Sequence, residues 1–109
     1  MIQITLTDDR VCIQGHAGYA PPGSDIVCAG ISALAETLVM SINNLTDNII
    51  AVEDDTGLMD IKLESLTEAG MLLTDSFVIG AKAIAAGYPD NVSVRDDRSR
   101  RETITTVKV

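Results

Sequence analysis

Aromatic side chains are nearly missing from this chain of 109 residues, which has no tryptophan, one phenylalanine and two tyrosines. Its core must therefore be aliphatic. Histidine occurs once, at position 16, and cysteine twice, at positions 12 and 28. That inventory is too small for a structural zinc site, and the spacings among Cys12, His16 and Cys28 follow no usual zinc pattern. Two cysteines make no secreted disulfide framework, so each is read singly, as in a reducing compartment. No Gly-Lys-Ser or Gly-Lys-Thr is present, which removes a phosphate loop. No uninterrupted apolar run reaches the length of a membrane span, and the N-terminus Met-Ile-Gln-Ile-Thr-Leu has no signal-peptide pattern. These absences lead to the expectation of a cytoplasmic protein with no metal, cofactor or membrane partner.

Positive charge is scarce as well, with 8 Lys and Arg against 16 Asp and Glu and a net charge of −8. The balance is uneven. Residues 1–94 hold three basic residues, Arg10, Lys62 and Lys82, against 13 acids. Residues 95–109 hold Arg95, Arg98, Arg100, Arg101 and Lys108 against Asp96, Asp97 and Glu102. An acidic body argues against a broad nucleic-acid surface. It suits a basic peptide segment as partner, although solubility explains the same charge more simply. The length supports one domain with one core.

What is present is concentrated between Gly15 and Cys28. This stretch holds the single histidine, one cysteine, two of three prolines and three of eight glycines. Residues 2–7 alternate apolar and polar, as a half-buried strand does. Asp8-Asp9 is a turn signal, and residues 10–16 alternate again, so the start reads as a hairpin. In that strand Val11 and Ile13 face one way, and Arg10, Cys12, Gln14 and His16 the other. Gly18 to Gly23 is a loop stiffened by Pro21-Pro22. Ser24 or Asp25 caps a helix that runs to about Asn43. Its expected apolar face is Ile26, Ala29, Gly30, Ala33, Leu34, Thr37, Leu38, Ser41, Ile42 and Leu45. The small residues Ala29, Gly30, Ser32 and Ala33 imply a close neighbour there.

Residues 49–52 read as a short strand, 53–57 as an acidic turn and 58–64 as a well-alternating strand. Ser65-Leu66-Thr67-Glu68 fits a capping box for a second helix to about Ala86, with apolar spacing through Leu72, Val78, Ile79 and Ile84. Gly87 and Pro89 end it. Residues 91–95 suit a final short strand. Residues 96–109 read as a tail, disordered or pairing with a sheet edge, since Thr103–Val109 has strand-like composition. The order ββαββα implies an α+β fold, with a mostly antiparallel sheet and two helices packed on it.

Cys28 falls near the start of the first helix, where unpaired N–H groups favour a thiolate. His16 lies at the other end of the same loop and can take the thiol proton. On residues alone, an inert core thiol is the commoner reading of any one cysteine. Cys12 reads as a packed strand residue, about 13 Å along the strand from His16.

Gly15-His16-Ala17, a loop ending near Gly23, Asp25-Ile26-Val27-Cys28-Ala29-Gly30 and the following Ser32-Ala33 together resemble the bacterial ribosomal-processing cysteine protease Prp family. The twelve-position step from His16 to Cys28 fits that family, and the resemblance covers residues 1 to about 95 as a single domain. It implies a cysteine endopeptidase with His16 and Cys28 as catalytic dyad. It further implies a homodimer that removes the N-terminal extension of large-subunit ribosomal protein twenty-seven, cutting after aromatic residues, or acts on phage head proteins with a similar site. Gly15, Tyr19, Gly23, Asp25 and Ala29 are the accompanying candidates for the substrate loop and the oxyanion. Backbone N–H groups at the helix start, that of Cys28 among them, are the expected oxyanion donors. The Gly15–Gly23 loop is expected to move over bound peptide, and His16 and Cys28 to approach fully only then. Two features depart from the family, namely Pro21-Pro22 and the tail after Arg95. Two other classes stay open: a non-catalytic ribosome- or RNA-associated dimer using the arginine tail, and a redox-sensing thiol module using Cys28.

Overall fold

Alternation in the strands and one buried stripe on each helix produce two layers. The computed structural model describes residues 1–99. Seven elements follow in order: β1 (Ile2–Thr7), β2 (Arg10–Gln14), α1 (Ile26–Leu45), β3 (Ile49–Asp55), β4 (Leu58–Glu64), α2 (Glu68–Gly87) and β5 (Val92–Asp96). The five strands form one sheet in the order β3-β4-β2-β1-β5. Every neighbouring pair is antiparallel except β1 and β5, which run parallel. The α+β reading with two helices on a mostly antiparallel sheet therefore stands, and the final strand is present.

One face of the sheet carries Ile2, Ile4, Leu6, Val11, Ile13, Ile61, Leu63 and Val92, all buried beneath the helices. The other face is open and polar. Cys12 lies there, half-buried between its ladder partners Thr5 and Asp60. Arg10 on the same face clasps the buried Asp60 carboxylate through two hydrogen bonds of 2.6 and 2.5 Å.

Both helix faces differ from expectation. α1 buries Val27, Ile31, Ala35, Leu38 and Ile42, so of the expected stripe Leu38 and Ile42 are fully buried and Leu34 packs partly against the core. α2 buries Gly70, Thr74, Phe77, Val78 and Ala81; of its expected spacing Val78 is buried and Ile84 packs against the core, while Leu72 and Ile79 are exposed. Each helix is apolar around most of its circumference, so spacing alone leaves its rotation undetermined. At 20 residues both are long and apolar enough, by length and composition alone, to cross a membrane, a test that the core helix of a soluble protein also passes. Here each lays one stripe on the sheet. The helices also touch each other at glycines. A methyl group at Gly30 would lie 3.2 Å from Ile84 Cδ1, and one at Gly80 would lie 3.0 Å from Leu34 Cδ1. The expected close neighbour is thus α2, met at Gly30 rather than along the exposed Ala29, Ser32 and Ala33.

Boundaries shift for local reasons. Thr67, not Ser65, caps α2, with its hydroxyl accepting the Gly70 N–H at 3.2 Å. Asn48 selects this arrangement from a distance, because its side chain accepts the Thr67 hydroxyl and donates to the Ser65 carbonyl. β3 runs on through Glu53, Asp54 and Asp55, whose composition predicts a turn. These residues pair with Asp60, Met59 and Leu58 along an edge where carboxylates stay hydrated. The turn that remains is Thr56-Gly57.

Beyond β5, Arg98 is buried and Ser99 is hydrogen-bonded back to Asp8 at 2.9 and 2.8 Å. The start of the expected tail is therefore fixed to the body. The expected edge pairing of Thr103–Val109 lies outside the described residues.

Candidate active site

Gly15 ends β2 and turns the chain toward the helices. Its φ is +98°, and a side chain there would strike the Met1 carbonyl. The turn changes where the next residue points. Strand alternation puts His16 on the face of Cys12. Instead His16 lines a cavity of about 210 Å³ together with Ile13 and Met59, the helix-side pair, and with Cys28. A second cavity of about 740 Å³ opens on the loop side and is again bordered by His16 and Cys28. Gly23, Asp25 and Ala29 also line that second cavity. The two residues twelve positions apart in sequence thus share one cleft, and Cys12 takes no part in it.

Asp25 assembles the loop. It is the N-cap of α1, and its Oδ1 accepts the N–H groups of Val27 and Cys28, both at 3.0 Å. Its Oδ2 accepts those of Tyr19 at 3.0 Å and Ala20 at 3.3 Å. One carboxylate thus ties the substrate-loop candidate to the helix that carries Cys28. These bonds, led by that from Cys28 N–H, hold the Asp25 carboxyl below its ordinary range despite the opposing effect of burial. The same bonds occupy the amides expected to serve an oxyanion. Cys28 N–H is donated to Asp25, and Ala29 N–H to the Asp25 carbonyl at 3.1 Å. The amide that does face the sulfur is that of Ala17, which donates to Cys28 Sγ at 3.2 Å.

Cys28 is the third residue of α1 and half-buried. His16 is exposed, and its ring lies over the β3–β4 turn. Gly15 N–H donates to the Gly57 carbonyl at 2.8 Å, and a methyl group at Gly57 would lie 2.9 Å from His16 Nε2. Among the described residues no hydrogen bond joins His16 to Cys28. Tyr19 is half-exposed and meets Tyr88 edge-to-face, with ring centroids 5.3 Å apart.

Several lining residues escaped sequence reading. Ser32 and Glu36 follow Cys28 at steps of four, and helical periodicity could have found them. Asp54, Asp55 and Gly57 come from β3 and its turn, and no local signal tied them to His16. Among the described residues no group of three or more His, Cys, Asp or Glu is arranged to hold a metal ion.

Comparison with known proteins identifies the family. Residues 1–93 match the family model described as cysteine protease Prp. The ribosomal processing cysteine protease Prp of Mycoplasma pneumoniae is 31% identical over 100 residues, covering 90% of this chain and 97% of its own. The protein of that name from Staphylococcus aureus is 29% identical over 98 residues, covering 84% and 92%. A crystal structure of the S. aureus ribosomal processing protease Prp with a covalently linked product peptide superposes with a TM-score of 0.85. That match has 26% identity and covers 89% of this chain and all of the other. The chain belongs to the cysteine protease Prp family, and its enzyme class is that of a cysteine-type peptidase.

Proposed function

We propose that the chain is a cytoplasmic endopeptidase with Cys28 as nucleophile and His16 as general base and acid. Its substrate is the N-terminal extension of a precursor of large-subunit ribosomal protein twenty-seven, or a phage head protein carrying a similar site. The observation that carries this reading is the meeting of His16 and Cys28 in one cleft, with the sulfur at a helix start. The peptide lies along the cleft between the Asp25-tethered loop and the β3–β4 turn. The Cys28 thiolate attacks the scissile carbonyl and forms an acyl-enzyme. His16 takes the thiol proton and returns it to the leaving amine, and water then releases the acyl group. The His16–Cys28 contact tightens when peptide fills the cleft, consistent with a dyad that is not hydrogen-bonded without substrate. Asp25 acts by holding loop and helix start together, and makes no contact with His16 among the described hydrogen bonds.

The enzyme works as a homodimer joined through the outer face of its helices. Met40, Leu72 and Ile79 support this, being 62%, 68% and 72% exposed on a face that the sheet leaves uncovered. An inert thiol or a redox module gains no support from an exposed histidine sharing the sulfur's cleft.

Incubation with a peptide spanning the ribosomal extension is the test. Wild type should cleave it and Cys28→Ser should not, while Cys12→Ser retains activity. Uncut peptide, or loss of cleavage in Cys12→Ser alone, sinks the assignment.

A further inference from the structure

We propose that Asn91 is a positioning residue for the Cys28 nucleophile, acting through the main chain of Ala17. The inference rests on the reading of Cys28 as nucleophile.

Ala17 is held at three points. Its methyl group is buried at 2% exposure. Its N–H donates to Cys28 Sγ at 3.2 Å. Its carbonyl accepts the Asn91 side-chain N–H at 2.9 Å, across 74 positions of sequence. Asn91 is itself fixed at the α2–β5 junction. Its backbone N–H donates to the Tyr88 carbonyl at 3.0 Å, and its carbonyl accepts the Ile2 N–H at 2.8 Å. The chain of contacts therefore runs from the β1–β5 ladder through Asn91 to Ala17 and on to the sulfur.

Elsewhere the residues that follow His16 depend on Asp25, which reaches Tyr19 and Ala20 but not Ala17. Asn91 supplies the separate tether that Ala17 needs. This matters chemically because the helix-start amides of Cys28 and Ala29 are already engaged by Asp25. The Ala17 N–H is the amide that remains aimed at the reacting sulfur. In the free enzyme it stabilises negative charge on sulfur. When sulfur bonds to the scissile carbon, the carbonyl oxygen develops charge beside the same N–H, which can then be donated to it. Asn91 fixes the carbonyl of the residue whose N–H does this work, and so limits rotation about the Ala17 backbone. The titratable groups bordering the cleft are His16, Asp25, Glu36, Asp54 and Asp55, and none of them contacts Asn91 among the described hydrogen bonds.

The test compares wild type with Asn91→Leu, which keeps the volume and removes the donor, and with Asn91→Asp, which keeps the shape but cannot donate. Iodoacetamide alkylation of Cys28 at pH 7 should slow about fivefold in both variants, the worth of one ordinary hydrogen bond. With cleavable peptide, kcat should fall by a similar factor while KM stays within about twofold. A merely structural Asn91 would lower the urea midpoint and leave alkylation and kcat per folded molecule unchanged, and that result overturns the proposal. Should both variants fail to fold, the wild-type fold still decides. The Ala17 amide resonance should move on conversion of Cys28→Ser by more than that of any other loop residue, and an unmoved Ala17 resonance overturns the proposal. Alkylation and the amide resonance need no peptide, so failure of the endopeptidase reading is distinguishable from failure of this one.

Discussion

Single residues set the chemistry here through what their neighbours leave free. Gly57 illustrates this on the side of His16. Its φ is +73°, and a methyl group there would crowd Nε2 of the imidazole. Gly57→Ala should strain the turn by about 1 kcal/mol and displace the ring that reaches Cys28 in the proposed mechanism. Turnover of peptide should fall at least tenfold, more than a stability loss of that size explains, because the protein stays folded. Equal kcat in wild type and Gly57→Ala, measured on the same peptide, would remove His16 placement from the role of this turn. Much at this scale was legible in the sequence. His16 and Cys28 stand at two ends of one glycine- and proline-marked loop, and Asp25 was a cap candidate. What could not be read was the positive φ of Gly15, which takes His16 off the face of Cys12. Asn91 was equally silent, since its partner lies 74 positions away.

At the scale of elements, the helices show how far periodicity reaches. Both helices were legible, and α1 ends within two residues of the expected Asn43. Their rotation was not, because helices apolar on most sides can bury any of several stripes. The sheet selects the stripe that fits, and leaves Met40, Leu72 and Ile79 outside. Ile79→Lys is expected to break the proposed dimer while changing monomer stability by no more than about 0.5 kcal/mol, as an exposed substitution does. Light scattering at micromolar concentration should give a dimer for wild type and a monomer for the variant. A monomeric wild type would remove the dimer altogether. β3 teaches the complementary lesson. Three consecutive acids read as a turn, but β4 offers them a complete ladder, and pairing overrides composition.

Across the whole molecule, acids are organised by a few fixed cations. Arg98 is the clearest case. Its side chain is 4% exposed and meets Asp96 through Nε and Nη2, both at 2.8 Å, and Asp75 through Nη1 at 2.9 Å. It lies beyond the 1–93 match to the family and joins the end of β5 to α2. Arg98→Ala would leave the Asp96 carboxylate buried without its partner, and should cost about 3 kcal/mol in urea unfolding. A shift under about 1 kcal/mol would reduce this cluster to a surface ion pair. Acid has a related effect. The Arg98 hydrogen bond holds Asp96 below its ordinary range, the Arg10 hydrogen bond does the same for Asp60, and the Cys28 amide does so for Asp25. A carboxyl lowered in the folded state adds stability that is complete above its unfolded value, near 3.8, and is lost as pH falls through the folded value. Urea midpoints should therefore be insensitive to these three groups from pH 7 down to about pH 4 and drop below it. A midpoint that rises on acidification below pH 4 would contradict the sign.

Element order, the α+β class and the placing of His16 and Cys28 at the two ends of one loop were all readable along the chain. These follow from local physics: alternation, capping, and turn residues acting over a few positions. Only the tertiary structure decided which way His16 points, which stripe of each helix is buried, and which backbone amide faces the sulfur. It also decided that Arg98 and Ser99 are bound to the body rather than free. Each of these depends on partners far along the chain: Gly57 for His16, the sheet for the helices, Asn91 for Ala17, and Asp75 and Asp8 for the segment after β5. Such contacts leave no local pattern, because the residues that make them are chosen by proximity that exists only once the chain has folded.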